Sequence, residues 1–337
     1  MNVKFLVQCL VRMDYAGLFQ TVSKVHKSCG KNRISILIDV VKCGLRYGAG
    51  YNDYLLCEFY NLTEEQRATY ITRQVNNKLV ALLNDRAYYH LFDNKKDFYT
   101  TFSDCMGRDW LDFTKATKED LARFLQGKET FMVKPDAESG GKGVEKLRAA
   151  DFPDVASLYA KLKQDNIGVV EEVITQHPQM DALNPHCLNT LRIVTILNDQ
   201  GPHIVYGFVR IGNSDRPVDN LHSGGMFAPI DLETGKISAP GYDKERVTYQ
   251  RHPLTGVELV GFQIPYWEES KALCLKAATR VPQMRYIGWD VGVTPNGPVF
   301  VEGNNLPGYD ILQMPPHTPD KIGMLPKFKG ENYFDGC

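Results

Sequence analysis

Apolar positions recur along this chain at two periods, and the change of period divides it. Over the first hundred residues the spacing is helical. Thr63 and Gln66 have the spacing of a capping box, and Ile71, Val75, Leu79, Leu82 and Leu83 then recur at helical spacing. A second helix is predicted from Thr117 to Gly127, glycine being the common residue beyond a helix end. The aromatic-rich stretch from Asn84 to Phe113 fits neither period. From Thr130 the pattern turns to short strands. Phe131–Lys134 is followed by a glycine-rich turn, a strand over Gly143–Leu147, a helix over Pro153–Lys163 and a strand over Gly168–Ile174, which together read as a small α+β lobe. Further strands are predicted over Leu191–Leu197, Ile204–Ile211 and Met226–Leu232, then a helix over Glu268–Thr279 and a hairpin over Asp290–Asn304. The tail from Gln313 is rich in proline and reads as a surface loop. The chain thus reads as an α+β protein in three parts: a mainly helical region over 1–115, a small lobe over 116–175 and a larger lobe over 176–337.

Composition narrows the class without naming a function. The 337 residues are 43% hydrophobic, ordinary for a globular enzyme, and a net charge of −1 gives no case for nucleic acid or an anionic membrane. Eight cysteines without a Cys-x-x-Cys pair suit reduced thiols in a cytoplasmic protein. The apolar patch Phe5–Val11 is broken by Gln8 and Cys9, so neither a signal peptide nor a membrane span is expected.

The hairpin carries the most telling chemistry. With Pro295-Asn296-Gly297 as a three-residue loop, Thr294 pairs with Pro298, and counting outward sets Asp290 opposite Glu302, with Asn304 on the same face. Two carboxylates and an amide oxygen so gathered are hard ligands suited to Mg²⁺. A loop one residue shorter would put Asp290 and Glu302 on opposite faces. Val291, Val293, Val299 and Val301 take the other face, the predicted core side.

Other residues suit an anionic ligand. Lys134 ends an apolar strand that Pro135 stops, so its ammonium points at the following loop, which holds Ser139, Gly140, Gly141, Lys142 and Gly143. Glycines there let backbone N–H groups approach an anion. Glu171 and Glu172 end a strand facing this loop. Arg192 lies in an apolar run, where a guanidinium needs either an anionic ligand or an ion pair with a carboxylate. No Walker A loop, Rossmann glycine fingerprint or nucleophile elbow is present.

The order of these features over roughly Phe131 to Gly308 resembles the ATP-grasp superfamily, in which ATP is clasped between a small lobe and a larger, mixed-sheet C-terminal lobe. Asn189-Thr190-Leu191-Arg192, Ser223-Gly224-Gly225, His252-Pro253-x-Thr255-Gly256, Gly261-Phe262-x-Ile264-Pro265-x-Trp267 and Gly288-Trp289-Asp290 resemble its sugar-transfer-associated family. That resemblance implies roles. Lys134 would contact the α- and β-phosphates, under a cover formed by Ser139 to Gly143. Glu171 and Val173 would hold adenine, with Glu172 or a neighbour on the ribose. Asp290, Glu302 and Asn304 would carry one or two Mg²⁺, and Arg192 would stabilise the transferred phosphate. A second phosphate-binding cation would come from Arg86 or Lys95, with Lys95 favoured. Arg210 could bind an acceptor carboxylate beside the loop of Ser223, Gly224 and Gly225. The implied reaction joins a small-molecule acid to an amine through an acyl phosphate, in the building of a cell-surface polysaccharide or related metabolite. The alternative is a kinase acting on a hydroxyl of a sugar or polyol.

Overall fold

The expected capping box forms: Thr63 Oγ1 accepts from the Gln66 amide at 3.3 Å, and Gln66 Oε1 accepts from the Thr63 amide at 2.9 Å. The helix it starts is only Glu64–Arg67, and a separate one spans Arg73–Leu83. The interruption has a physical cause. The side chain of the buried Gln313 accepts from the Ile71 amide and donates to the Ile71 carbonyl, both at 2.8 Å, taking the groups that a continuous helix would use. The tail is therefore no surface loop, since Leu312, Gln313, Met314, Met324 and Phe328 are buried. The computed structural model describes residues 14–135, 143–213 and 224–328, and the chain divides into two units, Met1–Leu79 with Gly308–Cys337 and Val80–Pro307.

The first unit is a helical core. The helices Tyr15–Cys29 and Arg33–Tyr47 are capped by Asp14 and Asn32 and bury Leu18, Val22, Val25, Ile36 and Val40 with Tyr54 and Phe59. Its main polar anchor is Arg67, which grips Asp39 through two 2.8 Å contacts and also donates to the Phe59 carbonyl.

The second unit holds two sheets. The smaller consists of β1 (Trp110–Asp112), β2 (Thr130–Pro135), β3 (Glu145–Arg148) and β4 (Ile167–Glu172), in the order β1-β4-β2-β3. The helices Lys118–Phe124 and Val155–Gln164 cover it, burying Leu121, Leu158 and Leu162 against Phe131, Val133 and Val170. The first of them has Thr117 as N-cap and ends near Gly127, whose φ is 73°, as the sequence predicts. The larger sheet runs β11-β10-β5-β6-β7-β8-β9. Its strands are β5 (Leu191–Asn198), β6 (Gly201–Ile211), β7 (Met226–Pro229), β8 (Gly241–Asp243), β9 (Thr248–Tyr249), β10 (Tyr286–Thr294) and β11 (Gly297–Asn304). It departs from the expected mixed sheet, for every described pairing in it is antiparallel. Tight turns join β5 to β6 and β10 to β11, and a tight turn forces the chain to reverse.

The aromatic stretch without a clear period forms short helices, including His90–Asp93 and Lys95–Thr101. Phe92, Phe98 and Phe102 pack there against Trp289 and Phe300, whose rings stack at 4.9 Å. Each fully buried ring of this kind contributes about 1.5–3 kcal/mol. The close fit depends on Gly303, where a Cβ would lie 2.7 Å from Phe98. These rings set the back of the β10–β11 hairpin. The six described cysteines are free thiols, and no described helix is long and apolar enough to cross a membrane.

Candidate functional site

The hairpin reaches the expected pairing by a different route. Thr294 pairs with Gly297 and Val293 with Pro298, so the loop has two residues, Pro295 and Asn296, and not three. Asp290 nevertheless faces Glu302, because Val291 pairs with Phe300 and Val301 is left over as a β-bulge. The residue missing from the turn is returned in the strand. Phe300, fully buried, takes the core place expected of Val301, which is half-buried.

Asp290 is buried and binds two arginines. Arg192 grips it through Nε and through Nη2 at 3.0 Å, and Arg210 Nη1 donates to Oδ2 at 2.9 Å. Arg192 therefore stands in an ion pair with a carboxylate. Burial alone would raise the Asp290 pKa, but Arg192 and then Arg210 outweigh it and hold the carboxyl at about 2. Glu302 is shifted the other way. Although the residue as a whole is exposed, the protein crowding its carboxyl, and then the Asp290 charge, raise its pKa above the usual 4.5. Asn304 Nδ2 stands 3.5 Å from both carboxylates.

Two facing carboxylates, one made reluctant to ionise by the other, form a donor set that a hard divalent cation would relieve. Asn304 would join it by turning its amide oxygen inward. Among the described residues no group of three or more His, Cys, Asp or Glu side chains is arranged for a metal, so a cation here would need the Asn304 amide as its third protein ligand. The residues present fit Mg²⁺.

A second charged cluster is centred on Glu171, between the sheets of the same unit. Lys134 Nζ lies 2.8 Å from Glu171 Oε1 and donates to Tyr99 Oη at 2.7 Å. Arg108 donates to Glu171 Oε2 at 2.9 Å, to Tyr99 Oη at 3.1 Å, and to the Phe300 carbonyl of β11 at 2.6 Å. Tyr99 in turn donates to Glu171 Oε2 at 2.5 Å. Burial opposes the charge on Glu171, but Lys134 and Arg108 overcome it and keep the carboxyl at about 2. Lys134 is likewise disfavoured by burial, and the Glu171 charge more than compensates, raising its pKa. The Glu171 side chain is thus committed to cations and its backbone lies inside the sheet, in register with Trp110 of β1 and Met132 of β2, so that of the two residues expected at adenine only Val173, just past the end of β4, is left for a ligand edge.

The remaining predicted residues fall as follows. Glu172 is half-buried and its Oε2 accepts from the Asp109 amide at 3.2 Å. Lys95 Nζ comes within 3.4 Å of the Pro135 carbonyl, at the end of the Lys134 strand, whereas Arg86 is exposed on a short turn among Ala81, Gln283 and Arg285. Ser139, Gly140, Gly141, Lys142 and Ser223 lie outside the described residues. Gly143 has φ 67°, and a Cβ there would come 2.6 Å from Pro135. Gly224 has φ 95°, and Gly225 is buried beside the start of β7. The structure thus gathers Asp290, Glu302, Asn304, Arg192 and Arg210 into one cluster and Lys134 with Glu171 into another. Arg108 links the two, bonding Glu171 in one and the Phe300 carbonyl of β11, the strand of Glu302, in the other.

Sequence reasoning missed Arg108 and Tyr99. Both lie in the aromatic stretch without periodicity, and nothing local marks an arginine between Gly107 and Asp109 as buried. The only available signal was the density of aromatic residues around them.

Comparison with known proteins adds a family and a set of distant folds. Residues 145–319 match the model of the sugar-transfer associated ATP-grasp family. No curated protein matches the chain. Among solved structures it is similar to the ATP-grasp ligase PsnB complexed with a minimal precursor, at 13% identity and a TM-score of 0.41, covering 73% of this chain and 64% of that one. It is similar also to D-alanyl-alanine synthetase A from Vibrio cholerae O1 biovar eltor, at 16% identity and a TM-score of 0.38, covering 73% of this chain and 62% of that one. A third is the D-alanine-D-alanine ligase from Coxiella burnetii, at 13% identity and a TM-score of 0.40, covering 78% and 69%. The chain thus spans less than two thirds of the length of the first two.

Proposed function

The chain belongs to the sugar-transfer associated ATP-grasp family, and from that membership we propose that it is an ATP- and Mg²⁺-dependent carboxylate–amine ligase acting beside Asp290 and Glu302. Its fold is the ATP-grasp fold, built here on a four-stranded and a seven-stranded antiparallel sheet. The small lobe is taken as 116–175, with β1 added to its sheet, and the larger lobe as 176–337, after a leading region over 1–115.

The observation that carries the proposal is the meeting of the two charged clusters. Arg108 joins them, donating to Glu171 of the small sheet and to the Phe300 carbonyl of β11, two residues before Glu302, so a polyphosphate beside Lys134 would end near the carboxylate pair. In this reading Lys134 and Lys95 bind phosphate oxygens, Lys95 being preferred to Arg86 because it reaches the end of β2. Ser139, Gly140, Gly141, Lys142 and Gly143 cover the phosphates. Backbone groups of Val173 meet the adenine edge, and Glu172 meets the ribose.

Asp290, Glu302 and Asn304 would hold one or two Mg²⁺, which when bound neutralise phosphate charge. Lys134 can turn from Glu171 to phosphate without stranding that carboxylate, since Arg108 stays behind as its counter-ion. Arg192 stabilises the transferred phosphoryl group and Arg210 orients the acceptor carboxylate, beside Ser223 and the Gly224 and Gly225 amides.

The chemistry then runs in two balanced steps. A substrate carboxylate oxygen attacks the γ-phosphorus as its bond to the bridging oxygen breaks, releasing ADP. An amine nitrogen next attacks the acyl carbon, phosphate leaves with the C–O electron pair, and the surplus proton passes to solvent. The cluster offers cations and metal ligands but no protein nucleophile, which is what such a sequence requires. The products would serve assembly of a cell-surface polysaccharide or a related metabolite.

The test supplies ATP, Mg²⁺ and a panel of sugar acids and amino acids, with hydroxylamine as the amine. A ligase yields ADP, free phosphate and a hydroxamate. Phosphate retained on a sugar or polyol hydroxyl, with none released, would replace the ligase by a kinase.

A further inference from the structure

The helix Arg33–Tyr47 has two apolar faces, and only one is covered. Ile36, Val40 and Cys43 are buried. On the opposite side Ile34, Ile38, Val41 and Leu45 are 69%, 64%, 47% and 48% exposed. At 100° per residue these four fall within about 60° of arc and extend over roughly 17 Å of helix. On the preceding helix Tyr15 and Phe19 are also more than half exposed. An uncovered apolar stripe of this kind marks a contact surface.

Charge identifies what it contacts. The overall −1 conceals a strong asymmetry: residues 1–47 hold eight Lys and Arg against two Asp, and the remainder holds 31 against 38 acidic residues. Lys24, Lys27 and Arg33 have no carboxylate partner among the described residues, and Asp39 is already taken up by Arg67 and Tyr54. An apolar stripe on a basic helix pair is the pattern of a surface that lies in a bilayer interface.

We propose that this face docks on an anionic lipid bilayer, with the isoleucine, valine and leucine side chains entering the headgroup–acyl boundary and the lysines and arginines meeting lipid phosphates. A second copy fits less well. Four apolar positions make fewer than two heptads, and pairing would bring two basic surfaces together. The chain's own residues 1–13 add Lys4 and Arg12 and no acid, so they offer no complementary charge.

The test is cosedimentation of the full chain with vesicles of phosphatidylcholine alone or mixed with phosphatidylserine. Partition onto the mixed vesicles is expected to exceed that onto phosphatidylcholine by at least about tenfold. It should fall by about fivefold for each of Lys24→Gln and Lys27→Gln, and by about tenfold or more for the double variant Ile38→Ser, Val41→Ser. All these positions are exposed, so an unchanged thermal transition confirms that the variants fold. Three results would overturn the proposal: no dependence on phosphatidylserine, partition unmoved by both sets of variants, or a dimer that the Ile38→Ser, Val41→Ser variant abolishes. A fourth would be slow hydrogen exchange over Ile34–Leu45 that becomes fast on deleting residues 1–13, since that would make the chain's own segment the occupant.

Discussion

Replacing Glu171 by glutamine keeps its shape and removes its charge, and the surrounding distances set the consequence. The carboxylate is almost wholly buried between Lys134 at 2.8 Å and Arg108 at 2.9 Å. Its pKa of about 2, against an ordinary 4.5, corresponds to about 3 kcal/mol favouring the charged form. Glutamine loses that term and leaves two buried cations sharing a neutral amide, so the expected destabilisation at neutral pH is about 3–5 kcal/mol. The pH dependence separates charge from packing. Because the folded pKa is depressed, the stabilisation is complete above about 4.5 and is lost as the pH falls toward 2. The gap between wild type and Glu171→Gln should therefore narrow by about 1.4 kcal/mol for each pH unit below 4.5. Urea denaturation at neutral and acid pH measures it, with fluorescence from Trp110, whose ring meets Tyr99 edge-on at 5.3 Å, as a local probe. A gap of equal size at both pH values would refute the electrostatic account and leave only a packing defect.

Glu302→Gln is expected to abolish ADP formation while leaving the thermal transition in place, because Glu302 is an exposed residue and glutamine keeps its shape; an active variant would remove Glu302 from the metal site. Since the Glu302 pKa is raised, Mg²⁺ binding on the acid side of neutrality should release protons, which calorimetry in buffers of different ionisation enthalpy detects; buffer-independent heats would contradict it. Gln313→Ala removes bonds to the Ile71 amide and carbonyl, the Met324 amide and the Tyr309 carbonyl. The expected loss is about 2–4 kcal/mol in the stability of the first unit, and an unchanged urea midpoint would mean that the tail is held by apolar packing alone.

Local patterns revealed much of the fold. Short apolar runs outline β2, β4 and β5, and the Thr117 cap marks the start of its helix. Lys134 was visible because Pro135 ends its strand. Arg108 was not, since its partner Glu171 lies 63 residues away and no local period encodes such a meeting. The break between the helices at Ile71 is a similar case, imposed by Gln313 from 242 residues away. The Asp290–Glu302 pairing was found, but by counting from a loop of the wrong length. The count succeeded because the bulge supplies the residue that the shorter loop lacks.

That bulge also governs how the hairpin can change over generations. A two-residue loop with a spare Val301, and a three-residue loop without one, leave the acidic pair facing each other equally well. Either change made alone turns Glu302 away from Asp290. Insertions and deletions at Pro295-Asn296 are therefore tolerated only as matched pairs, one at the tip and one beside Phe300. Among homologues, a difference in loop length is expected to come with an opposite difference in the strand, so that the total length between the two carboxylates stays constant while the tip drifts.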